Sequence, residues 1–265
     1  MIEVFFSCHL RGWHFIFKLN GYQKGTLMNN GMTKTQKELL RVVFAAVLAA
    51  LALVVGYIEI RWPIAPWLKL DFSEVVILIT FILIGFRHSL GVIVIRSVIR
   101  WLISADSTNV PFPFFGETVA IVASIMLVLV YYLISSLLRN NDFIRKKATD
   151  KVEIDASLVK KERITYIVKD IVGIILITII MATFMVVLNF FVVTPSFASQ
   201  GAYPFFTSFV NSGKYDALIG GSGYWKYGIF VVSVYGPFNL LKFASVMFLF
   251  TLIKRPLAAA IEIRP

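Results

Sequence analysis

The stretch GPFNLLKFASVMFLF, residues 236–250, decides the fold. It lies inside a 27-residue run, 227–253, in which Lys242 is the single charged residue. A run of that length crosses a bilayer with some tilt, and the lysine then falls near mid-membrane. A charge there costs about 2.5–3.5 kcal/mol on insertion scales. Asn239 stands three residues before Lys242 and shares its helix face. Pro237 cannot donate an N–H, which frees the carbonyl of Ser233 and favours a kink. A kinked helix with two polar groups on one side has to turn that side to a bundle interior. Two accounts of the face remain open at this level. In one, Lys242 forms a structural ion pair, with Glu117 as partner; in the other, Asn239 and Lys242 grip the polar groups of a ligand, with Asn189 opposite.

Composition generalises this local reading. Of 265 residues, 58% are hydrophobic and only 15% charged, and the mean hydropathy is +0.80. Globular domains in water carry about 45–50% apolar and about 25% charged residues, so the chain is read as an integral membrane protein. The single cysteine, Cys8, excludes an internal disulfide framework and a multi-cysteine zinc site. The net charge of +11 raises nucleic acid as a partner, but its distribution argues against one.

Apolar runs predict six helices, at about 39–59, 74–87, 89–104, 117–138, 165–193 and 228–253. The second and third are short for spans, and the third is interrupted by Arg96 and Arg100. Exposed backbone in lipid must satisfy itself, which favours helices; the alternating ten-residue segments of a β-barrel are missing. With both termini in the cytoplasm, 19 of the 26 Lys and Arg residues fall inside and four in outer loops. The positive-inside rule selects this orientation. The basic excess is thus a topology signal and an anionic-lipid contact, not a sign of a nucleic-acid partner.

The predicted organisation is an N-terminal extension, 1–35, a six-helix domain, 36–255, and a cytoplasmic tail, 256–265. The extension is aromatic and weakly periodic. It reads either as an interfacial helix with Trp13, Phe15 and Phe17 toward lipid, or as a stretch upstream of a true start at Met28 or Met32. Two loops are long: a charged cytoplasmic one at about 139–164, and an aromatic, glycine-rich external one at about 194–227, read as a lid.

No phosphate-binding loop and no H-E-x-x-H motif occurs. His9, His14 and His88 lack metal-site spacing, and no intramembrane aspartate pair marks a protease. An enzyme therefore has no constellation to work with; a transport or binding subunit needs none. The segment RWPIAPWLKLDFSEVV, 61–76, has two prolines and two tryptophans at a membrane boundary. It reads as an ordered interfacial loop, with Ser73 as N-cap and Glu74 at the positive end of the next helix.

Here the sequence resembles a known family. PWLKLDFSEVVILITFILIGF is similar to the loop and second helix of S components of energy-coupling-factor (ECF) vitamin transporters. The Leu-Asp-Phe-Ser-Glu pattern is most similar to the riboflavin branch. VIVIRSVIRWLI, VVLNFFVVTP and YGPFNLLKF follow in the same order, so the resemblance covers about residues 36–255. It departs in the length of the two loops and in FGETVAIV, where riboflavin proteins tend to carry an asparagine at the place Glu117 takes.

The resemblance implies a bacterial plasma-membrane subunit that binds one vitamin and topples to deliver it. It implies partners too: a transmembrane coupling subunit and two cytoplasmic ATPases. Riboflavin, or flavin mononucleotide or an analogue, is the implied cargo rather than a cofactor; another vitamin or base is the runner-up, and a membrane scaffold or enzyme a remote alternative. The implied ligand-binding residues are Leu70, Asp71, Phe72, Ser73, Glu117, Asn189, Asn239 and Lys242. In AAVLAALA the alanines form small-xxx-small pairs, Ala45 with Ala49 and Ala46 with Ala50, which let helices approach closely. Internal packing is one use of such a face; the resemblance implies docking on the coupling subunit.

Overall fold

The computed structural model describes residues 33–103, 112–149, 156–203 and 205–262. The N-terminal extension therefore lies outside the described residues except for its last three, as do the side chains of 139–166. The described chain is mostly helical. Helix α1 spans Lys34–Gly56, α2 Ser73–Ile84, α3 Phe86–Ile103, α4 Phe115–Thr149 and α5 Ala156–Leu188. A π-helical turn, Asn189–Val193, leads into the short α6, Thr194–Ala198. Two more short helices follow, α7 at Phe206–Asn211 and α8 at Asp216–Ile219, before the long α9, Tyr224–Glu262. Among the described residues, four segments are long and apolar enough to cross a membrane: Lys34–Gly56, Phe115–Leu138, Ile167–Ala198 and Tyr224–Lys254.

Local chemistry sets the boundaries. Thr33 opens α1 with a capping box: its Oγ1 accepts from the Gln36 N–H, and Gln36 Oε1 accepts from the Thr33 N–H. Beyond Gly56 the chain makes a two-stranded antiparallel ribbon, β1 at Ile60–Arg61 and β2 at Lys69–Leu70. Ser73 does not cap α2, contrary to expectation; it is the first residue of the helix, and Asp71 Oδ1 accepts its N–H at 3.1 Å. Gly85, with φ +99°, turns the chain from α2 directly into α3, a conformation that penalises any side chain.

Helix α2 is only 12 residues long, yet buried residues lie on all its faces, from Ser73 and Glu74 through Val76, Ile77 and Phe81 to Ile84. A helix that is apolar all round belongs in a core, and α2 packs against α1, α3, α4 and α9. Phe81, Tyr131 and Phe250 join α2, α4 and α9 through edge-to-face contacts. By contrast, α1 and α5 expose large apolar side chains along their outer sides, including Val43, Val47, Val54, Ile171, Ile175 and Ile179. On helices of spanning length, such faces suit lipid.

Candidate functional site

A cluster of six charged side chains gathers where α2, α3, α4 and α9 meet. Glu74, in the first turn of α2, is 2% exposed, and its Oε1 lies 3.0 Å from Lys242 Nζ of α9. Arg100, in the last turn of α3, donates from Nε to Glu117 Oε1 at 2.7 Å and from Nη2 to Oε2 at 3.1 Å. This fork-on-carboxylate geometry is the strong form of the pair. Arg100 Nη1 also reaches Asp71 Oδ2 at 3.4 Å. One turn earlier on α3, Arg96 is fully buried and donates to Ser73 Oγ at 2.7 Å and to Ser124 Oγ at 3.2 Å. Ser73 in turn donates to Asp71. Burial pushes the Asp71 carboxyl up, but the charges of Lys242, Arg96 and Arg100 outweigh it and hold the group well below the usual carboxylate range.

This arrangement corrects the expected ion pair. Glu117, wholly buried at the start of α4, belongs to Arg100; Lys242 belongs to Glu74. The partnership was not visible in sequence because Glu74 reads as a residue placed for the helix dipole. Arg96 and Arg100 read as interruptions of a hydrophobic helix. Their spacing by four puts them on one face, which was the signal to use.

Asn239 and Lys242 both face inward, as their spacing requires. Asn239 is buried, and its Nδ2 donates to the Tyr235 carbonyl at 2.8 Å. Asn189 is buried as well, with Nδ2 donating to the Met185 carbonyl at 2.7 Å. Asn189 opens the π-helical turn, where the Thr194 N–H bonds to the Asn189 carbonyl. Pro195 supplies the cause. It has no N–H for the carbonyl four residues back, and its ring crowds that carbonyl, so the helix widens over 189–193. Turns of this type concentrate at functional sites. The widened turn packs on α9, where Tyr227 Oη donates to the Phe190 carbonyl at 2.8 Å.

The region expected as a long external loop is largely ordered into α6, α7 and α8. It forms an aromatic cluster against the first turns of α9: Phe190, Phe206, Phe209, Tyr215 and Tyr227, with Leu68 of the α1–α2 connection packed against it. Phe209 and Tyr215 stack at 4.4 Å with an interplanar angle of 17°. From the α1–α2 connection, Trp62 meets Phe238 edge-on at 5.9 Å. Its buried Nε1 has no hydrogen-bond partner among the described residues. Residues 61–72 thus fold over α9 beside Asn239. Of the predicted loop residues, Leu70 is buried, and Asp71 and Phe72 are half-buried.

The two alanine pairs of α1 separate. Ala49 is buried and Ala45 is packed against the core, so that pair serves internal packing. Ala46 and Ala50 are exposed.

Residues 40–254 match the model of a family described as "ECF transporter, substrate-specific component". The chain belongs to this family. Three solved chains are similar. One of them, the S component of a bacterial ECF transporter, shares 21% identity, covering 84% of this chain and 98% of that chain with a TM-score of 0.51. No curated protein matches. This substrate-specific component is accordingly a transport protein and not an enzyme, and its family works with an ECF module of transmembrane and ATPase subunits. Its helical architecture is that of the S-component fold.

Proposed function

We propose that this substrate-specific component binds riboflavin and passes it into a bacterial cell through an ATP-driven ECF module. The observation that carries the reading is the inward polar face of α9, buried Asn239 and half-buried Lys242, set beside the π-helical turn that begins at Asn189. Four motifs in order, from LDFSE through YGPFNLLKF, point to the same branch of the family. Riboflavin has a flat, largely apolar ring, a donor–acceptor edge and a hydroxylated chain. A fitting site is mostly apolar with a few placed polar groups. An asparagine amide offers both a donor and an acceptor to the ring edge. Lys242 keeps N–H donors beyond the one given to Glu74, and the aromatic cluster around Phe190 and Tyr227 supplies the apolar wall. Leu70–Ser73 close the site from the α1–α2 side, and Glu117 acts through Arg100 and Asp71.

On this reading six segments cross the membrane, with α2 and α3 completed by neighbours, and both termini lie in the cytoplasm, as the distribution of Lys and Arg requires. The protein purified in mild detergent is expected to be yellow, with the absorbance bands of a bound flavin. A colourless preparation that also fails to quench the fluorescence of added riboflavin overturns the reading and favours another vitamin or base. Cells holding the chain without any ATPase partner should bind riboflavin yet concentrate it poorly; concentrative uptake by the chain alone would sink dependence on the module.

The exposed Ala46 and Ala50 are the proposed docking face for the coupling subunit. Ala46→Leu combined with Ala50→Leu should leave riboflavin affinity within about twofold and abolish co-purification with that subunit, since the added volume keeps the two backbones apart. Co-purification at the parental level would assign the face to lipid. Ala49→Leu is a different experiment: at 2% exposure it overpacks the core, with an expected loss of about 1–3 kcal/mol in unfolding stability.

A further inference from the structure

We propose that Glu74 sets the ligand class: paired with Lys242, it makes the site select an uncharged ligand and reject one carrying a phosphate monoester. This rests on the reading of the α9 face as the ligand site.

The cluster holds three carboxylates, Asp71, Glu74 and Glu117, against three cations, Arg96, Arg100 and Lys242. It is formally neutral: two of the cations are paired with carboxylates, and the third is sealed away from any ligand. Lys242 is held by Glu74 at 3.0 Å. Arg100 spends its fork on Glu117 and its remaining nitrogen on Asp71. Arg96 is sealed at 1% exposure behind Ser73 and Ser124, out of a ligand's reach, with its Nε unpaired among the described residues and Ser73 donating on to Asp71. Recognition of a phosphate needs a free guanidinium fork or a free ammonium. A dianionic group brought beside Lys242 would meet a cation whose charge is cancelled, in surroundings that water cannot restore. It would also stand close to the Glu74 carboxylate. A hydroxyl or carbonyl needs only an N–H from Lys242 or the Asn239 amide, and these impose no charge. Glu74 contributes without touching the ligand, by cancelling the charge of the group that does.

The test measures riboflavin and flavin mononucleotide binding to the purified full chain, as the ratio of their Kd values. The parent should favour riboflavin. In Glu74→Gln the ammonium of Lys242 is released, and the preference for riboflavin should fall at least about tenfold. Lys242→Met leaves Glu74 without its counter-charge and should move the ratio the opposite way. The double variant, neutral again, should return toward the parent. The two single variants carry opposite signs, so either one that folds gives a reading. A merely structural role for Glu74 would weaken both ligands equally; an unchanged ratio in the folded variants overturns the proposal, and so does a parent that binds both flavins alike. A parent that binds neither flavin overturns the riboflavin reading itself, and with it this assignment.

Discussion

Lys242→Met is expected to lower the unfolding stability of the unliganded protein by about 3–5 kcal/mol, the usual cost of removing one partner from a buried ion pair. The substitution keeps most of the side-chain volume, so cavity formation adds little. What it leaves is Glu74, 2% exposed, without the charge that stood 3.0 Å away. The outcome also separates Lys242 from a purely ligand-directed role: a lysine held only for the ligand would give an apoprotein as stable as the parent or more so. Thermal unfolding in detergent without ligand reads this directly. Adding Glu74→Gln to Lys242→Met should recover most of the loss, because the stranded charge is then gone; a double variant as unstable as the single would mean that the loss came from packing.

Arg100→Leu is expected to cost as much, about 3–5 kcal/mol, because it strands the Glu117 carboxylate and takes one charged partner from Asp71. Glu117 is wholly buried and takes both its hydrogen bonds from Arg100, and Asp71 loses its contact at 3.4 Å. Glu117→Gln should cost clearly less. It keeps the shape, leaves an amide oxygen for the Arg100 fork, and leaves Arg100 bonded to Asp71. The order of these two losses is the measurement that matters. Equal losses would mean that Asp71 contributes nothing to holding Arg100, while a loss below about 1 kcal/mol for Arg100→Leu would mean that water reaches the cluster.

Long apolar periodicity was the most legible part of this fold. The runs at 117–138 and 228–253 fall within α4 and α9, and that at 39–59 overruns the end of α1 at Gly56 by three residues, because lipid and core both demand apolar side chains over a full span. The inward turn of Asn239 and Lys242 was legible for the same reason: the cost of the alternative leaves one direction. Partner identity was not. Helical spacing states which face a charge occupies on its own helix, but Glu74 meets Lys242 from a helix more than 160 residues away in the chain. That pairing depends on how α2 inserts among its neighbours. Capping was misread for a related reason: the Ser73 hydroxyl is turned to the Asp71 carboxylate and accepts from Arg96, so it does not meet the N–H groups of the first turn. The alanine pairs were equally ambiguous in sequence, since both repeat by four; only packing decides which one meets α2 and α3. The ordered turns within 194–227 were hidden because short helices held by aromatic contacts, such as Phe209 on Tyr215, leave no periodic signature in the chain.

The widened turn at Asn189–Val193 fixes a rotational phase. An ordinary α-helix advances about 100° per residue, and a π-helical turn accommodates one residue more than an α-turn. Everything after Val193 is therefore set one step round the axis from where an unbroken helix would place it. With that step, Thr194, Pro195 and Ser196 are buried and Phe197 is exposed. Deleting a single residue between 189 and 193 would let the helix close to the regular pitch with these four positions in their present phase, whereas closing the turn at unchanged chain length would swing them by about 100°. In the second case the protein would lose no polar group by composition, only by azimuth: Ser196 would take the exposed position that Phe197 holds now. At this turn, chain length rather than residue identity determines which side chains meet α9.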